Sequence, residues 1–219
     1  MSDLSALYDL RFTQTGTSKR QAVWRQLCKH FFDRMVPADA TILDVACGYG
    51  EFINNIRARR KYAIDLNPDS PIYLNNDITF FNTSATDLSA LPKDEIDIAF
   101  TSNFLEHFRD KQQLDIFLRE LHGVLKPGGR FIILGPNIRF AYREYWDYYD
   151  HYLPLSHLSL VEALSIAGFK AEKVIDRFLP FTMNNDVPTA DFIIRTYLKL
   201  PIAWKIFGKQ FLVVAQKPA

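Results

Sequence analysis

The chain has 219 residues, of which 48% are hydrophobic and 23% are charged, as expected for one globular domain with a sizeable core. Its formal net charge of +1 gives no electrostatic reason to expect a polyanionic partner such as nucleic acid. Its two cysteines lack a metal-ligand spacing, no secretion signal opens the chain, and no apolar run is long enough to span a bilayer. We therefore expect a cytoplasmic protein without a transmembrane segment.

Short apolar runs alternate with helical stretches along most of the chain. The strand candidates are residues 41–45, 61–66, 78–83, 95–101, 130–134, 170–178 and 210–218. The helix candidates are residues about 20–35, the stretch around Phe52 and Ile56, residues 110–125, a helix that begins at Ser159 with Glu162 in a capping box, and residues around 189–200. This alternation predicts an α/β fold with a doubly wound, mostly parallel sheet.

The turn after the first strand, within LDVACGYGEF at residues 43–52, indicates a ligand site. Ligands of open α/β sheets bind at the carboxyl ends of the strands, and Gly48 and Gly50 let the backbone approach a ligand closely. Asp65 ends the second strand, 21 residues after Asp44. A carboxylate there can accept hydrogen bonds from both ribose hydroxyls of an adenosine cofactor. The alternative role for Asp65 is to cap the turn that follows it.

A dinucleotide fits this turn less well than an adenosine cofactor without a pyrophosphate. Pyrophosphate binding usually takes a third glycine at the start of the following helix. The position three residues after Gly50 is Ile53, so the third glycine is absent.

Five segments in order carry a resemblance to a known family. They are ILDVACGYG, AIDLNPD, SATDLSALP, IDIAFTSNFLEHF and LHGVLKPGGRFIIL. In order and spacing they resemble the motifs of class I S-adenosylmethionine-dependent methyltransferases, over about residues 40–135. The resemblance implies a Rossmann-like, seven-stranded sheet with helices on both faces. It also implies S-adenosylmethionine as cofactor, S-adenosylhomocysteine as product and transfer of a methyl group.

The resemblance also implies a cofactor contact at each matching position. In this chain Ala46, Gly48 and Gly50 would cradle the methionine part of the cofactor, with Asp44 beneath them. The other implied contacts are Asp65 with the ribose, Leu66, Asp87 and Leu88 with the adenine, and Asn103 and Phe104 under the sulfonium. Ala46 stands where the family often has its first glycine, and we expect it to need only ordinary backbone angles.

The resemblance also suggests how one domain, residues 1–219, is organised. The expected parts are an N-terminal helical cap (1–36), a cofactor-binding half (37–135) and an acceptor-side half (136–219) with lid segments at 138–158 and 179–209.

Three of the five histidines, His107, His151 and His157, follow the fourth and fifth strands, and two of them are candidate bases. Methyl transfer to a hydroxyl usually needs a general base within hydrogen-bond reach. His151 is our preferred base because its acidic neighbours could orient it or raise its pKa. His107, in NFLEHF, is the second candidate. The alternative for His151 is a polar group of a lid or a surface histidine.

The stretch FAYREYWDYYDHY at residues 140–152 contains seven aromatic side chains. It follows the fifth strand, where members of this family often build the acceptor pocket. Tyrosine and tryptophan suit such a pocket because each offers an apolar face and a polar edge. We predict that Tyr145 and Trp146 face the acceptor, and that Asn137 and His157 also contact it. The alternative is that the rings form hydrophobic core.

The acceptor is expected to be a small, partly apolar molecule rather than a nucleic-acid base. The Asn/Asp-Pro-Pro-aromatic motif that adenine- and amine-modifying members of the family often carry is absent from SNFLEH. No metal is predicted, although Asp147, Asp150 and His151 form a conceivable cation set.

Residues 191–209 mix large apolar side chains with lysine and arginine. Such a segment packs on its own domain, forms a homodimer contact or lies on a membrane surface, and we favour the first two. Two rival functions stay open: a non-catalytic binding or partner protein that keeps the cofactor fold, and an enzyme that transfers another group from the same cofactor.

Overall fold

The computed structural model of the protein describes residues 14–181 and 190–219. Within them the strands are β1 (Thr41–Val45), β2 (Arg60–Ile64), β3 (Ile78–Phe81), β4 (Ile96–Ser102), β5 (Leu125–Pro136), β6 (Lys170–Ile175) and β7 (Gln210–Gln216). The α-helices are α1 (Gln14–His30), α2 (Lys111–Val124), α3 (Ile138–Ala141), α4 (His157–Ile166), α5 (Asp191–Lys199) and α6 (Pro201–Phe207). The start of the predicted helical cap and residues 182–189 of the predicted second lid lie outside the described residues.

The strands form one sheet in the order β3-β2-β1-β4-β5-β7-β6. All neighbours are parallel except β7, which runs antiparallel to both β5 and β6. The order reverses direction beside β1, and Val45 at the end of β1 pairs with Ile64 and Thr101. The carboxyl ends of β1, β2 and β4 therefore meet at one edge. The sheet confirms the predicted Rossmann-like, mostly parallel seven-stranded fold.

Each face of the sheet carries its own hydrophobic core. Leu43 and Phe131 belong to the core on one face, which also includes the apolar side of α2 and α4. Ile42 and Ile132 belong to the core on the other face, with residues of α1 and α5. Adjacent strand residues point to opposite faces, so helices cover both sides of the sheet as predicted.

Two local predictions are wrong. No regular helix follows the first strand, and residues 48–55 form successive turns instead, where Asn54 donates to the carbonyl of Gly50 and Asn55 to that of Phe52. Helix α4 begins before Ser159, because Ser156 caps it and exchanges hydrogen bonds with Ser159 in a capping box. Glu162 therefore lies beyond the cap.

The surface of α5 and α6 is unusually apolar. Phe192, Ile202, Ile206 and Phe207 are 60–71% exposed. Whether this face contacts a second copy or a membrane surface stays a prediction. Among the described helices, none has the length and apolar character needed to cross a bilayer.

Candidate active site

The chain leaves β1 through a turn with left-handed backbone angles. Ala46, Gly48 and Gly50 have φ angles of 57°, 53° and 69°. Glycine adopts this region readily because it has no Cβ. The expectation that Ala46 needs only ordinary angles is wrong, since an alanine in this region is strained by about 1–2 kcal/mol. The turn exposes backbone groups at the edge where β1, β2 and β4 end.

Asp65 joins this turn to the end of β2. Its Oδ2 accepts the backbone N–H of Gly48 at 2.8 Å, and its Oδ1 accepts that of Asn67 at 2.8 Å. Burial raises the pKa of the Asp65 carboxyl, although these two hydrogen bonds oppose the shift. The side chain thus caps its own turn, as the alternative interpretation held. Each oxygen still has a second lone pair for a ligand.

Asp44 lies buried beneath the same turn. Only 3% of the residue is exposed. Burial raises the pKa of its carboxyl well above the ordinary value, and the negative charges of Glu51 and Asp65 raise it further. A cationic ligand beside the turn would favour the ionised forms of both carboxyl groups.

A second polar group, the Glu–His–His cluster, is made of Glu106, His107 and His151. Their candidate ligand atoms lie within 4.8 Å of one another, and the two imidazole rings meet edge to face with centroids 5.1 Å apart. His107 Nδ1 lies 3.0 Å from the Asp150 carbonyl oxygen and 3.2 Å from its Oδ2. Asp150 therefore fixes the orientation of the His107 ring.

The backbone of Glu106 holds the 140–152 stretch in place. Glu106 follows β4 in a single turn of 3-10 helix, Leu105–His107. Its carbonyl accepts the N–H groups of Tyr152 at 2.8 Å and Leu153 at 3.1 Å. These hydrogen bonds hold the end of the stretch, which includes His151, at the carboxyl edge of the sheet.

Charge and burial act in opposite directions within the cluster. Burial raises the pKa of Glu106 to about 7, and the positive charge of His107 partly opposes this. Burial alone would lower the pKa of His107, but its hydrogen bond to Asp150 and the charge of Glu106 raise it on balance. The pKa values of the Glu106 carboxyl and of the His107 imidazole are therefore both above their ordinary values.

One cleft of about 860 Å³ joins the glycine turn to the cluster. Its wall beside the cluster includes Phe104, Tyr148, Tyr152 and Phe181. The Tyr148 ring stacks on His151 with centroids 4.7 Å apart and an interplanar angle of 26°. The cleft thus has a turn with two carboxylates at one end and an aromatic wall around titratable groups at the other.

Solved structures share this fold at low sequence identity. A SAM-dependent methyltransferase from Archaeoglobus fulgidus is 20% identical, with 90% of this chain and 94% of that chain covered and a TM-score of 0.67. A putative methyltransferase in complex with the Haloferax volcanii Trm112 methyltransferase activator is 18% identical, with 94% of each chain covered and a TM-score of 0.67. The cyclase SpnF is 18% identical, with 83% and 75% covered and a TM-score of 0.59.

The sequence comparison goes beyond the fold. No curated protein matches the chain significantly. Residues 43–133 match the profile of a family described as a methyltransferase domain, and they contain the turn, Asp65 and the first two members of the cluster. The match covers fewer than half of the residues, and it supports the resemblance to class I methyltransferases that use S-adenosylmethionine and release S-adenosylhomocysteine.

Most residues predicted to bind the cofactor line the cleft. These are Asp44, Ala46, Gly48, Asp65, Leu66, Asn103 and Phe104. Gly50 is not among the lining residues and packs behind the turn, where a Cβ would meet Leu74 Cδ2 at 2.6 Å. Their roles toward the cofactor stay predictions.

The structure does not bring Asp87 and Leu88 to the cleft lining. Asp87 is fully exposed and its carboxylate accepts two hydrogen bonds from Ser89. The Leu88 backbone N–H donates to Glu120 at 3.2 Å, so it is already used. Residues 83–86 line the cleft in their place, because β3 ends at Phe81 and the loop reaches the edge before Asp87.

The four residues predicted to bind the acceptor lie outside the cleft lining. Tyr145 is fully buried, and its hydroxyl donates to the Leu153 carbonyl at 2.7 Å. Trp146 is 59% exposed. Asn137 is fully buried and its Nδ2 lies 2.9 Å from His157 Nδ1, so this pair is structural.

The two predicted bases, His107 and His151, come together in the cleft, and the sequence analysis missed their neighbours. Glu106, Tyr148 and Phe181 line the cleft beside them. Glu106 had a signal, since a glutamate stands next to His107 directly after a buried strand. Tyr148 and Phe181 had none, because their positions depend on contacts between distant segments. Asp147 is exposed and lies outside the cleft lining, whereas Asp150 and His151, the other members of the conceivable cation set, line the cleft.

Proposed function

We propose that this methyltransferase transfers the methyl group of S-adenosylmethionine to a hydroxyl oxygen of a small, partly apolar acceptor. One observation supports this most directly: a single cleft connects the glycine turn with the Glu–His–His cluster. A protonated nucleophile must be aligned with the methyl group and must lose its proton. A cofactor edge and a titratable cluster in one cleft suit both tasks.

On the cofactor side, we propose that Asp65 accepts hydrogen bonds from the ribose hydroxyls through its second lone pairs. Leu66, 56% exposed beside it, would flank the adenine. Residues 83–86, rather than Asp87 and Leu88, would contact the adenine edge. The methionine portion would lie against the other predicted contacts, which are Ala46, Gly48, Gly50, Asp44, Asn103 and Phe104.

On the acceptor side, the reaction is an in-line displacement. The hydroxyl oxygen attacks the methyl carbon, the carbon–sulfur bond breaks, and sulfur keeps the bonding pair to give S-adenosylhomocysteine. The hydroxyl proton passes to an imidazole of the cluster. The sequence favours His151 as this base, while the bond to Asp150 favours His107, whose ring is held as a base requires.

The aromatic wall supports a small, partly apolar acceptor. Tyr148, Tyr152 and Phe181 offer flat apolar faces next to the cluster, and the two tyrosines add a polar hydroxyl. The net charge of +1 supports a small molecule over a nucleic acid, because a polyanion is usually bound by a strongly basic surface.

The test combines cofactor binding with product analysis. Calorimetry should show binding of S-adenosylmethionine and much weaker binding of NAD. Labelled cofactor and a panel of hydroxylated aromatic and aliphatic compounds should then give a product heavier by one methyl group. Equal affinity for NAD, or methyl gain only on nitrogen or carbon, would contradict the proposal.

A second candidate deserves the same experiment, because one structure with this fold is named a cyclase. A reaction without methyl gain would leave the acceptor mass unchanged, whereas transfer of another group from the cofactor would add a different mass. A non-catalytic partner protein would bind cofactor without any product. The Haloferax structure with an activator suggests co-purification with partner proteins as the test of that alternative.

A further inference from the structure

The Glu–His–His cluster also has the composition of a metal-ion site. One carboxylate oxygen and one nitrogen from each imidazole lie within 4.8 Å of one another. Two histidines and one carboxylate form a common set for divalent transition metals in proteins. We propose that Glu106, His107 and His151 bind a divalent transition-metal cation in the cleft.

The spacing of the cluster is close to what an ion requires. Bonds of about 2.1 Å at tetrahedral or right angles place ligand atoms about 3.0–3.5 Å apart. The ligand atoms of the cluster lie within 4.8 Å of one another, so side-chain rotation has to bring them closer for all three to bind one ion. The cluster faces the cleft, so an ion can enter from solvent.

Glu106 provides an independent indication. The residue is only 3% exposed, and its Oε1 is buried without a hydrogen-bond partner among the described residues. Burying a carboxylate oxygen without a partner is costly. A protonated carboxyl would also leave this oxygen without a partner. A cation coordinated by Oε1 would satisfy it.

The contacts behind His107 match those of metal-binding histidines. Its Nδ1 is engaged by the carbonyl and carboxylate oxygens of Asp150, which leaves Nε2 as the nitrogen with a lone pair. A histidine that binds a metal usually donates its other ring N–H to a carboxylate or carbonyl. Asp150 is therefore the group that would accept the second ring N–H of His107 when its Nε2 binds the ion.

The donor atoms restrict the choice of ion. Mg²⁺ and Ca²⁺ prefer oxygen ligands, whereas Zn²⁺, Fe²⁺, Mn²⁺ and Co²⁺ accept two imidazoles with a carboxylate. Three protein ligands leave at least one position open toward the cleft. If the proposed function holds, the hydroxyl oxygen of the acceptor would occupy it. With an ion bound, both imidazoles are ligands, so the ion would lower the pKa of that hydroxyl and its proton would pass to water in the cleft instead of to an imidazole.

The experiment measures ion binding without cofactor or acceptor. Metal-stripped full-length protein is titrated with Zn²⁺ in a calorimeter and with Co²⁺ by visible absorption. Wild type should bind one ion per chain, with a Co²⁺ spectrum of mixed nitrogen and oxygen ligation. Glu106→Gln and His151→Gln should each weaken binding by about tenfold or more. Glu95→Gln and His122→Gln, matched substitutions outside the cluster, should bind as wild type does.

Each failure has a distinct signature. Circular dichroism and S-adenosylmethionine affinity show whether Glu106→Gln and His151→Gln are folded. If Glu106→Gln fails to fold, His151→Gln alone carries the test. The proposal is overturned if wild type binds both ions with dissociation constants above about 100 μM, which is far weaker than protein metal sites. It is also overturned if the folded cluster variants bind the ions as tightly as wild type does. Methyl transfer, measured on the same samples, tests the proposed function separately.

Discussion

The two ends of the cleft are built in different ways. The glycine-turn end is made by short segments: left-handed angles at Ala46, Gly48 and Gly50, and an Asp65 carboxylate that bonds to two nearby backbone N–H groups. The cluster end depends on contacts between distant segments, such as His107 with Asp150. The first end is therefore determined by local backbone chemistry, and the second by tertiary packing.

The largest expected effect is at the glycine-turn end. Asp65→Asn should weaken S-adenosylmethionine binding by about 100-fold or more, because it removes a charged acceptor of the ribose hydroxyls, and such hydrogen bonds contribute about 1.5–3 kcal/mol each. Calorimetry gives the dissociation constant. Asp87→Asn is the matched control and should bind like wild type, since Asp87 lies outside the cleft. If Asp87→Asn weakened binding and Asp65→Asn did not, the adenine contact that the family resemblance implied for Asp87 would be supported instead.

The next effect concerns stability of the same end. Gly50→Ala should lower the free energy of unfolding by about 2–4 kcal/mol, because its φ of 69° disfavours a Cβ and that Cβ would lie 2.6 Å from Leu74 Cδ2. Urea unfolding measures the change. Gly123→Ala is the matched control: nothing lies within 4 Å of its added Cβ, so a helical alanine should stabilise by about 0.5–1 kcal/mol. Equal changes in the free energy of unfolding at both positions would contradict the claim that local backbone angles determine the turn.

At the cluster end, two substitutions test whether residues 140–152 line the acceptor pocket or form hydrophobic core. Tyr148→Ala should raise the apparent KM for the acceptor by about tenfold, because an aromatic contact beside His151 is lost, and should leave cofactor affinity within about twofold. Trp146→Ala should change neither quantity. Steady-state kinetics with a confirmed acceptor tests both variants. A larger rise in the acceptor KM for Trp146→Ala than for Tyr148→Ala would indicate that Trp146 contacts the acceptor.

The smallest effect is a pH dependence of cofactor binding. Burial raises the pKa of Asp65 above 3.8, so protonation on acidification begins at a higher pH than for a free aspartate. A protonated carboxyl accepts fewer hydrogen bonds, so affinity should be constant at alkaline pH and should fall on acidification, beginning above the pH range in which a free aspartate titrates. Calorimetry across this range measures the slope. Asp65→Asn should reduce the dependence of affinity on pH. Part of the dependence should remain, because the pKa of Asp44 is also raised. An unchanged slope would contradict the assignment to Asp65.

The comparison also explains what the sequence could predict. The sheet and the cofactor edge follow from apolar periodicity and from glycine and aspartate positions that act over a few residues. Ala46 was misjudged because its angle depends on the whole turn. Asp87 and Leu88 were misplaced because family spacing does not fix where the loop after β3 meets the cleft.

The acceptor side was harder for the same physical reason. The stretch at residues 140–152 contains both core and wall rings, and composition does not distinguish them. Tyr145 is buried because its hydroxyl reaches the Leu153 carbonyl, whereas Tyr148 stacks on His151. That division depends on hydrogen bonds from Tyr152 and Leu153 to the Glu106 carbonyl, which no local pattern encodes.

The most direct test of the central claim is a crystal structure with S-adenosylhomocysteine bound. The account predicts both ribose hydroxyls within about 2.7–3.2 Å of the Asp65 carboxylate, residues 83–86 at the adenine, and the sulfur atom facing the Glu–His–His cluster across the open part of the cleft. A cofactor whose sulfur points away from Glu106, His107 and His151, or whose adenine lies on Asp87, would contradict it.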